Sequence, residues 1–342
     1  MDRCLITLEL LDKKQPQPGY SSRGIKYLTG NITTSMELPF TRDEFITELP
    51  GLQQGLSISG YQPKLSLAIQ NKQFHVVDQM GSYILKPSPE AYPYLAENEH
   101  ATMMVMKKLK FSVPEFGLVA FKKVDNADPA EFAFIIKRFD RDMKTGEKIH
   151  QEQLDGAMAI DDKYGHRDGK QQISYESACR FLIEQVDSSL PFKRDLFLRV
   201  IYAYLLGNND FHLRNFGILE PQVAPNLLAP VYDFVSTAPY SSTFNSCYLA
   251  LPLLTREEND RALAPGFDTQ FGQYIGYDFI AFGKGIGLNE RYILKLFAEI
   301  QKQADVVRDT YQISFMPPQH IEAVLKCFNT RLKLIEVVDL DR

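Results

Sequence analysis

Residues 205–220, LLGNNDFHLRNFGILE, set Asn208, Asn209, Asp210, His212, Arg214 and Asn215 directly behind a run of helix-forming apolar residues. Asp210 and Asn215 stand five apart, the D-x-x-x-x-N spacing of phosphotransferase catalytic loops. That spacing has a chemical reason. A carboxylate can orient and deprotonate an attacking hydroxyl while an amide oxygen on the same short loop ligates Mg²⁺. Asp and Asn also cap helices and shape turns, so the pair alone does not decide the chemistry. Eighteen positions beyond Asn215, LAPVYDFVSTAP places Asp233 at the end of a β-like run and ahead of Phe234. A cation bridging phosphates needs a second hard oxygen ligand of this kind. Val235 follows where the D-F-G pattern of eukaryotic protein kinases has glycine.

A cation for the phosphates is offered by Lys86 in SYILKPSP, at the end of an apolar run and ahead of a segment carrying Glu97 and Glu99. Of the two acids, Glu99 is the expected partner. No GxGxxG is present; GLSISGYQPKLSLAI supplies Ser57, Ser59, Gly60, Gln62 and Lys64 in a polar loop leading into a strand. His212 could position substrate or nucleotide, or simply hydrogen-bond within the loop. Arg214 could meet a phosphate or pair with an acid. The charged stretch 161–170, DDKYGHRDGK, reads as solvated surface or as a docking loop for a protein substrate.

The elements that must position these groups follow from periodicity. KLSLAI, QFHVVD and SYILKP are short β-like runs separated by turn residues, and FGLVAF and EFAFIIKRF are two more, as in an antiparallel sheet. Between them, LAENEHATMMVMKKLKF repeats Ala101, Met104, Val105 and Leu109 at helical spacing. From about residue 150 the pattern turns helical, in SYESACRFLIEQV, KRDLFLRVIYAYLLG, NERYILKLFAEIQKQ and HIEAVLKCFNTRLKLIE. Leu196, Phe197, Val200, Ile201, Tyr204 and Leu205 mark one face of a helix ending near Gly207, and FGIL resumes as a strand at 216. The polar cluster is therefore a loop between two buried elements, where a rigid scaffold can present reactive groups. In residues 1–50, CLITLELL and SMELPF look β-like among Pro, Gly and Ser. The expected organisation is α+β: a β-rich half over 1–140 with a phosphate loop at 55–65 and one helix, joined near KRFDRD to an all-α half over 141–342.

The chain has 342 residues, 44% apolar, enough for a large core in two lobes. Its 38 basic and 43 acidic residues give a formal charge of −5, which does not suit a coat for nucleic acid or an anionic membrane. The four cysteines, Cys4, Cys179, Cys247 and Cys327, have no zinc-like spacing and read as reduced thiols. No run reaches the ~18 apolar residues of a membrane span, and a cytoplasmic location is expected.

In this order the pieces SGYQPKLS, YILKP, ENEH, KRFDR, IHQEQL, LLGNNDFHLRNFGI and PVYDFVS resemble the HipA family of serine/threonine kinase toxins, over roughly residues 55–240. The resemblance implies a two-lobed protein-kinase-like fold that uses ATP and Mg²⁺. It makes Asp210 the catalytic base, Asn215 and Asp233 the metal ligands and Lys86 the phosphate lysine, and puts Lys137 and Phe139 at the hinge that receives adenine. It further implies autophosphorylation on Ser57, with Ser59 as a second candidate. The short N-terminal segment resembles the HipT branch, which implies a HipS-like small antitoxin and a HipB-like DNA-binding partner, with no direct DNA binding by this chain. The implied substrate is an aminoacyl-tRNA synthetase, in that branch the tryptophanyl one; the chain itself has no tryptophan. A small-molecule kinase of the aminoglycoside or choline type shares the loop spacing. A non-catalytic pseudokinase is a further alternative, against which the joint presence of Lys86, Asp210, Asn215 and Asp233 argues.

Overall fold

The computed structural model describes residues 2–47, 63–125, 130–141, 147–240 and 249–340. The chain forms two compact units, one from residues 1–104, 113–141 and 313–317, the other from 105–112, 142–312 and 318–342.

In the first unit, two short helices, α1 (Ser22–Thr29) and α2 (Arg42–Thr47), precede strands β1 (Leu65–Gln70), β2 (Gln73–Val76) and β3 (Tyr83–Pro87). Helix α3 (Leu95–Lys108) follows, then β4 (Phe116–Ala120) and β5 (Phe132–Lys137). The strands form one antiparallel sheet in the order β2-β1-β3-β5-β4. Lys86 pairs across the ladder with Phe134, so the lysine sits in the sheet's central strand among apolar neighbours.

The N-terminal β-like runs are not strands. Leu8 has φ +62 and its amide closes a turn on the Cys4 carbonyl, so CLITLELL folds back on itself, leaving only the Arg3–Leu10 bridge. Its apolar residues are nonetheless buried: Leu5 accepts from the Leu118 amide, and Ile6 fills the space left by Gly117, whose absent Cβ would come within 2.9 Å of it. SMELPF likewise reaches β4 through a single Glu37–Ala120 bridge. Apolar content promised burial here and not a ladder.

The second unit opens with β6 (His150–Gln153) and α4 (Leu154–Ala157), then a hairpin of β7 (His166–Arg167) and β8 (Lys170–Gln171). Helices α5 (Tyr175–Gln185) and α6 (Leu190–Leu205) lead to β9 (Gly217–Glu220) and β10 (Leu227–Leu228). Four helices complete it: α7 (Gly276–Gly285), α8 (Glu290–Lys302), α9 (Ala304–Gln312) and α10 (Pro318–Leu334). The helical half is thus not all-α: β9 lies between β10 and β6 in a small antiparallel sheet. Helix α6 is the axis of this unit, packed by α5 and α10 and buried from Leu196 to Leu205. Ser189 caps it by accepting from the Phe192 amide, with Pro191 in its first turn, the expected start signals.

One charge lies inside that axis. Arg199, 4% exposed, donates from Nε to Asp195 at 2.7 Å and from Nη1 to the Ala229 carbonyl at 2.9 Å. The second bond pins the segment that runs on to Asp233. Replacing Arg199 with Leu leaves the Ala229 carbonyl without this donor and should lower stability by about 1–3 kcal/mol, read by chemical denaturation. In the first unit, α3 buries Glu97, and burial pushes its carboxyl up to about 7. A raised acid contributes stability that is complete below its unfolded value and lost as pH rises through the folded one. Wild type should therefore lose on the order of 3 kcal/mol as pH rises from about 4.5 to above 7, and Glu97→Gln should flatten that slope in denaturation midpoints.

Candidate active site

In the second unit the loop after α6 turns at Gly207, which has φ +69. A Cβ there would add to that strain by meeting Cys327 Sγ at 3.0 Å. Thr237 returns to the same point, donating from both its amide and its Oγ1 to the Gly207 carbonyl at 2.8 Å. The loop carrying Asp210 and the segment carrying Asp233 are thereby tied together.

Three side chains then come within reach of one another through their neighbours. Asn215, 6% exposed, ends a single 3-10 turn (Leu213–Asn215). Its Nδ2 donates to the Asp210 carbonyl at 2.7 Å and toward the Asp233 carbonyl at 3.4 Å. With the NH₂ group engaged on backbone, the amide's Oδ1 is the atom left to face a cation. Asp233 lies in a bend outside any strand, not at a strand end, and takes φ +49, a conformation that Asp tolerates better than most residues. Asp210 is partly exposed, and its amide donates to Asn208 Oδ1 at 3.2 Å.

Each of these three residues is followed by phenylalanine, a regularity visible in the sequence that the five- and eighteen-residue spacings do not use. Phe211, Phe216 and Phe234 meet in one cluster: the first two rings are 4.3 Å apart, and Phe211 and Phe234 5.0 Å. Tyr175 of α5 stacks on Phe211 at 6.2 Å and donates its hydroxyl to the Phe211 carbonyl at 2.6 Å.

Neighbouring polar groups fix the loop from behind. Arg214 donates to Asp155 at 2.6 Å, so it pairs with an acid of α4. Gln153 of β6 and Tyr232 both donate to the Arg214 carbonyl, at 3.2 and 2.8 Å, and Gln151 donates to the Tyr232 hydroxyl. The IHQE segment therefore anchors this loop through Gln151 and Gln153, whereas His150 faces Glu152 at the surface. His212 is 7% exposed, and burial drives its pKa down to about 4, so it is uncharged at neutral pH. Its Nε2 stands 3.6 Å from Asp210 Oδ1.

The stretch 161–170 also reaches this loop. Lys163 Nζ lies 3.8 Å from Asp210 Oδ1, and the Leu213 amide donates to the Lys163 carbonyl at 3.0 Å. Nothing in residue spacing along the chain could have paired positions 47 apart.

In the first unit, Lys86 Nζ donates to Glu99 Oε1 at 2.6 Å, with side chains 2% and 1% exposed. Glu99, not Glu97, is the lysine's partner, and the Phe134 ring lies 5.5 Å from the ammonium. Lys137 closes β5 and donates its amide to the Glu115 carbonyl at 2.7 Å; its ammonium is 3.7 Å from the Glu115 carboxylate. Phe139 follows, half-buried. Lys64 sits just before β1, while Ser57, Ser59, Gly60 and Gln62 lie outside the described residues, as does Cys247.

Among the described residues, no cluster of three or more His, Cys, Asp and Glu side chains could hold a metal alone. Asn215 and Asp233 offer a smaller set, one amide oxygen and one carboxylate. That set fits a hard cation whose other ligands are phosphate oxygens and water, as Mg²⁺ prefers. Among the described residues, no helix is long and apolar enough to cross a membrane.

Comparison with known proteins narrows what such an arrangement belongs to. The chain is 53% identical over 342 residues, 99% of both chains, to a Haemophilus influenzae protein named "Putative kinase". It is 24% identical over 266 residues to the serine/threonine-protein kinase toxin HipA of Shewanella oneidensis, covering 72% of this chain and 55% of that one. The solved complex of Shewanella oneidensis HipA with HipB and operator DNA has the same fold at 19% identity and a TM-score of 0.62, covering 97% of this chain and 78% of that one. Residues 56–307 match the family model described as the HipA-like C-terminal domain, and the chain belongs to that family.

Proposed function

We propose that this chain is an ATP-dependent serine/threonine protein kinase acting as a toxin. The observation that carries this reading is the joining of Asp210, Asn215 and Asp233, through the Asn215 amide on the backbone carbonyls of both aspartates and through the ring cluster of the phenylalanines that follow them. Asn215 and Asp233 would hold Mg²⁺, which when bound would offset charge on the phosphates of ATP. Lys86, steadied by Glu99, would take oxygens of the α- and β-phosphates, and backbone near Lys137 and Phe139 would receive adenine. Asp210 orients the acceptor hydroxyl and accepts its proton. The hydroxyl oxygen forms its bond to the γ-phosphorus as the bond to the β–γ bridging oxygen breaks, and ADP leaves with that electron pair.

The protein acceptor proposed is an aminoacyl-tRNA synthetase, the tryptophanyl enzyme first, as the resemblance to the HipT branch implies. Ser57 and Ser59 are proposed as self-phosphorylated positions, because a phosphate there adds nearly two negative charges to a loop meant for ATP phosphates. The complex of the Shewanella HipA with HipB supports a HipB-like partner, and a HipS-like small protein is proposed beside it.

Incubating dephosphorylated protein with Mg-ATP and following intact mass tests the reading. One or two added phosphates at Ser57 or Ser59, absent from Asp210→Ala and Asp233→Ala, are expected; failure of wild type to bind ATP at all overturns it. Asp210→Asn should lower transfer by about 10²- to 10⁴-fold while ATP binding, read by calorimetry, persists. Lys86→Met strands the buried Glu99 carboxylate without its ammonium and should cost about 3–5 kcal/mol of stability. Pairing it with Glu99→Leu should restore the melting temperature and leave ATP affinity low, which separates the fold's need for the pair from the nucleotide's.

A further inference from the structure

The loop around Asp210 has one cation of its own, Arg214, and that guanidinium is committed to Asp155 at 2.6 Å. The positive charge beside Asp210 comes instead from Lys163, whose Nζ lies 3.8 Å from Oδ1, within ion-pair reach and too far for a direct hydrogen bond.

Lys163 is held there by construction. Its carbonyl accepts from the Leu213 amide at 3.0 Å, which stitches its backbone to the turn that follows Asp210. Asp162 accepts from the Tyr164 amide at 2.7 Å and from His166 Nδ1 at 2.9 Å, closing a tight turn behind the lysine. Gly165, at φ +80, accepts from the Gln172 and Ile173 amides and joins that turn to the β7–β8 hairpin. The Tyr164 ring lies 4.9 Å from the ammonium and meets His212 edge-on at 5.6 Å. Lys163 and His212 thus approach the same carboxylate oxygen, one charged and one buried beside it. At 28% exposure the lysine side chain is more enclosed than a solvated surface lysine would be.

On the reading that Asp210 is the base of a phosphoryl transfer, we propose that Lys163, delivered by the 161–170 turn, is the positioning residue for the Asp210 carboxylate. Its ammonium fixes the carboxylate while the acceptor hydroxyl is deprotonated, and it keeps its own protons throughout. The stretch therefore serves the chemistry as well as the surface.

The test compares the full chain as wild type, Lys163→Met, Lys163→Arg, Asp210→Asn and the Lys163→Met/Asp210→Asn double variant, using ATP labelled on the γ-phosphate with Mg²⁺. Transfer to the protein and to water is counted together. Lys163→Met should cut kcat by about 10- to 100-fold, the scale of losses from a misplaced reacting group. KM for ATP should stay within about threefold, since nucleotide binding is not its task. Lys163→Arg should recover most of the rate, and the double variant should be no slower than Asp210→Asn alone, because two residues acting as a unit are not additive. A Lys163→Met enzyme within about twofold of wild-type kcat overturns the proposal. So does a loss confined to KM, or a loss that Lys163→Arg leaves in place alongside a lowered melting temperature. A wild-type chain that transfers no label overturns the kinase reading and this inference with it; active wild type with an indifferent Lys163 overturns this inference alone.

Discussion

Packing of Phe211, Phe216 and Phe234 against one another is the contact on which the candidate site depends. Each ring is the immediate neighbour of a polar residue, Asp210, Asn215 or Asp233, so gathering the rings into one cluster brings the backbone of all three polar residues together. The rings arrive from two segments that lie beyond the short β9–β10 pairing, the loop after α6 that leads into β9 and the stretch between β10 and Thr237. Apolar burial on the order of 1.5–3 kcal/mol per ring does for these loops what a hydrogen-bonded ladder does elsewhere. Two hydrogen bonds from Thr237 to Gly207 and the Tyr175 hydroxyl on Phe211 then remove the remaining freedom.

Around this cluster, charge is allotted rather than scattered. Arg199 spends its donors on Asp195 and on the chain leading to Asp233, and Arg214 on Asp155. Both are thereby withdrawn from direct chemistry and turned into struts. Lys86 and Glu99 form a pair of a different kind, enclosed in the sheet unit, where low exposure makes each ion dependent on the other. Lys163 differs, because it approaches Asp210 without closing to hydrogen-bond distance. The uncharged His212 fits beside it because burial and the nearby lysine both oppose its protonation.

Local pattern and tertiary demand part company in three segments of this chain. CLITLELL has the composition of a strand and is buried like one, yet it is wound into a turn whose apolar residues plug the sheet unit. Burial and ladder formation are separate requirements, and alternation of residue types reports only the first. The same distinction explains Asp233, where a β-like run leaves its ladder after Leu228 and ends in a left-handed residue. In IHQEQL the opposite occurred: a polar segment with little strand signal became β6 because β9 offered it an edge.

By itself, the sequence determined the antiparallel sheet strands, helix α3, the main helices of the second unit, and the loop bearing Asp210 and Asn215. It also determined the family, through motifs whose order and spacing are local facts. Those features rest on periodicities of two and 3.6 residues and on short spacings, which a chain carries in one dimension. Tertiary structure alone decided that Arg214 is spent on Asp155, that three phenylalanines bind three polar residues into one group, and that Lys163 stands beside Asp210. Each of these is a choice among chemically equivalent partners, and only the packing of distant segments into one volume distinguishes them.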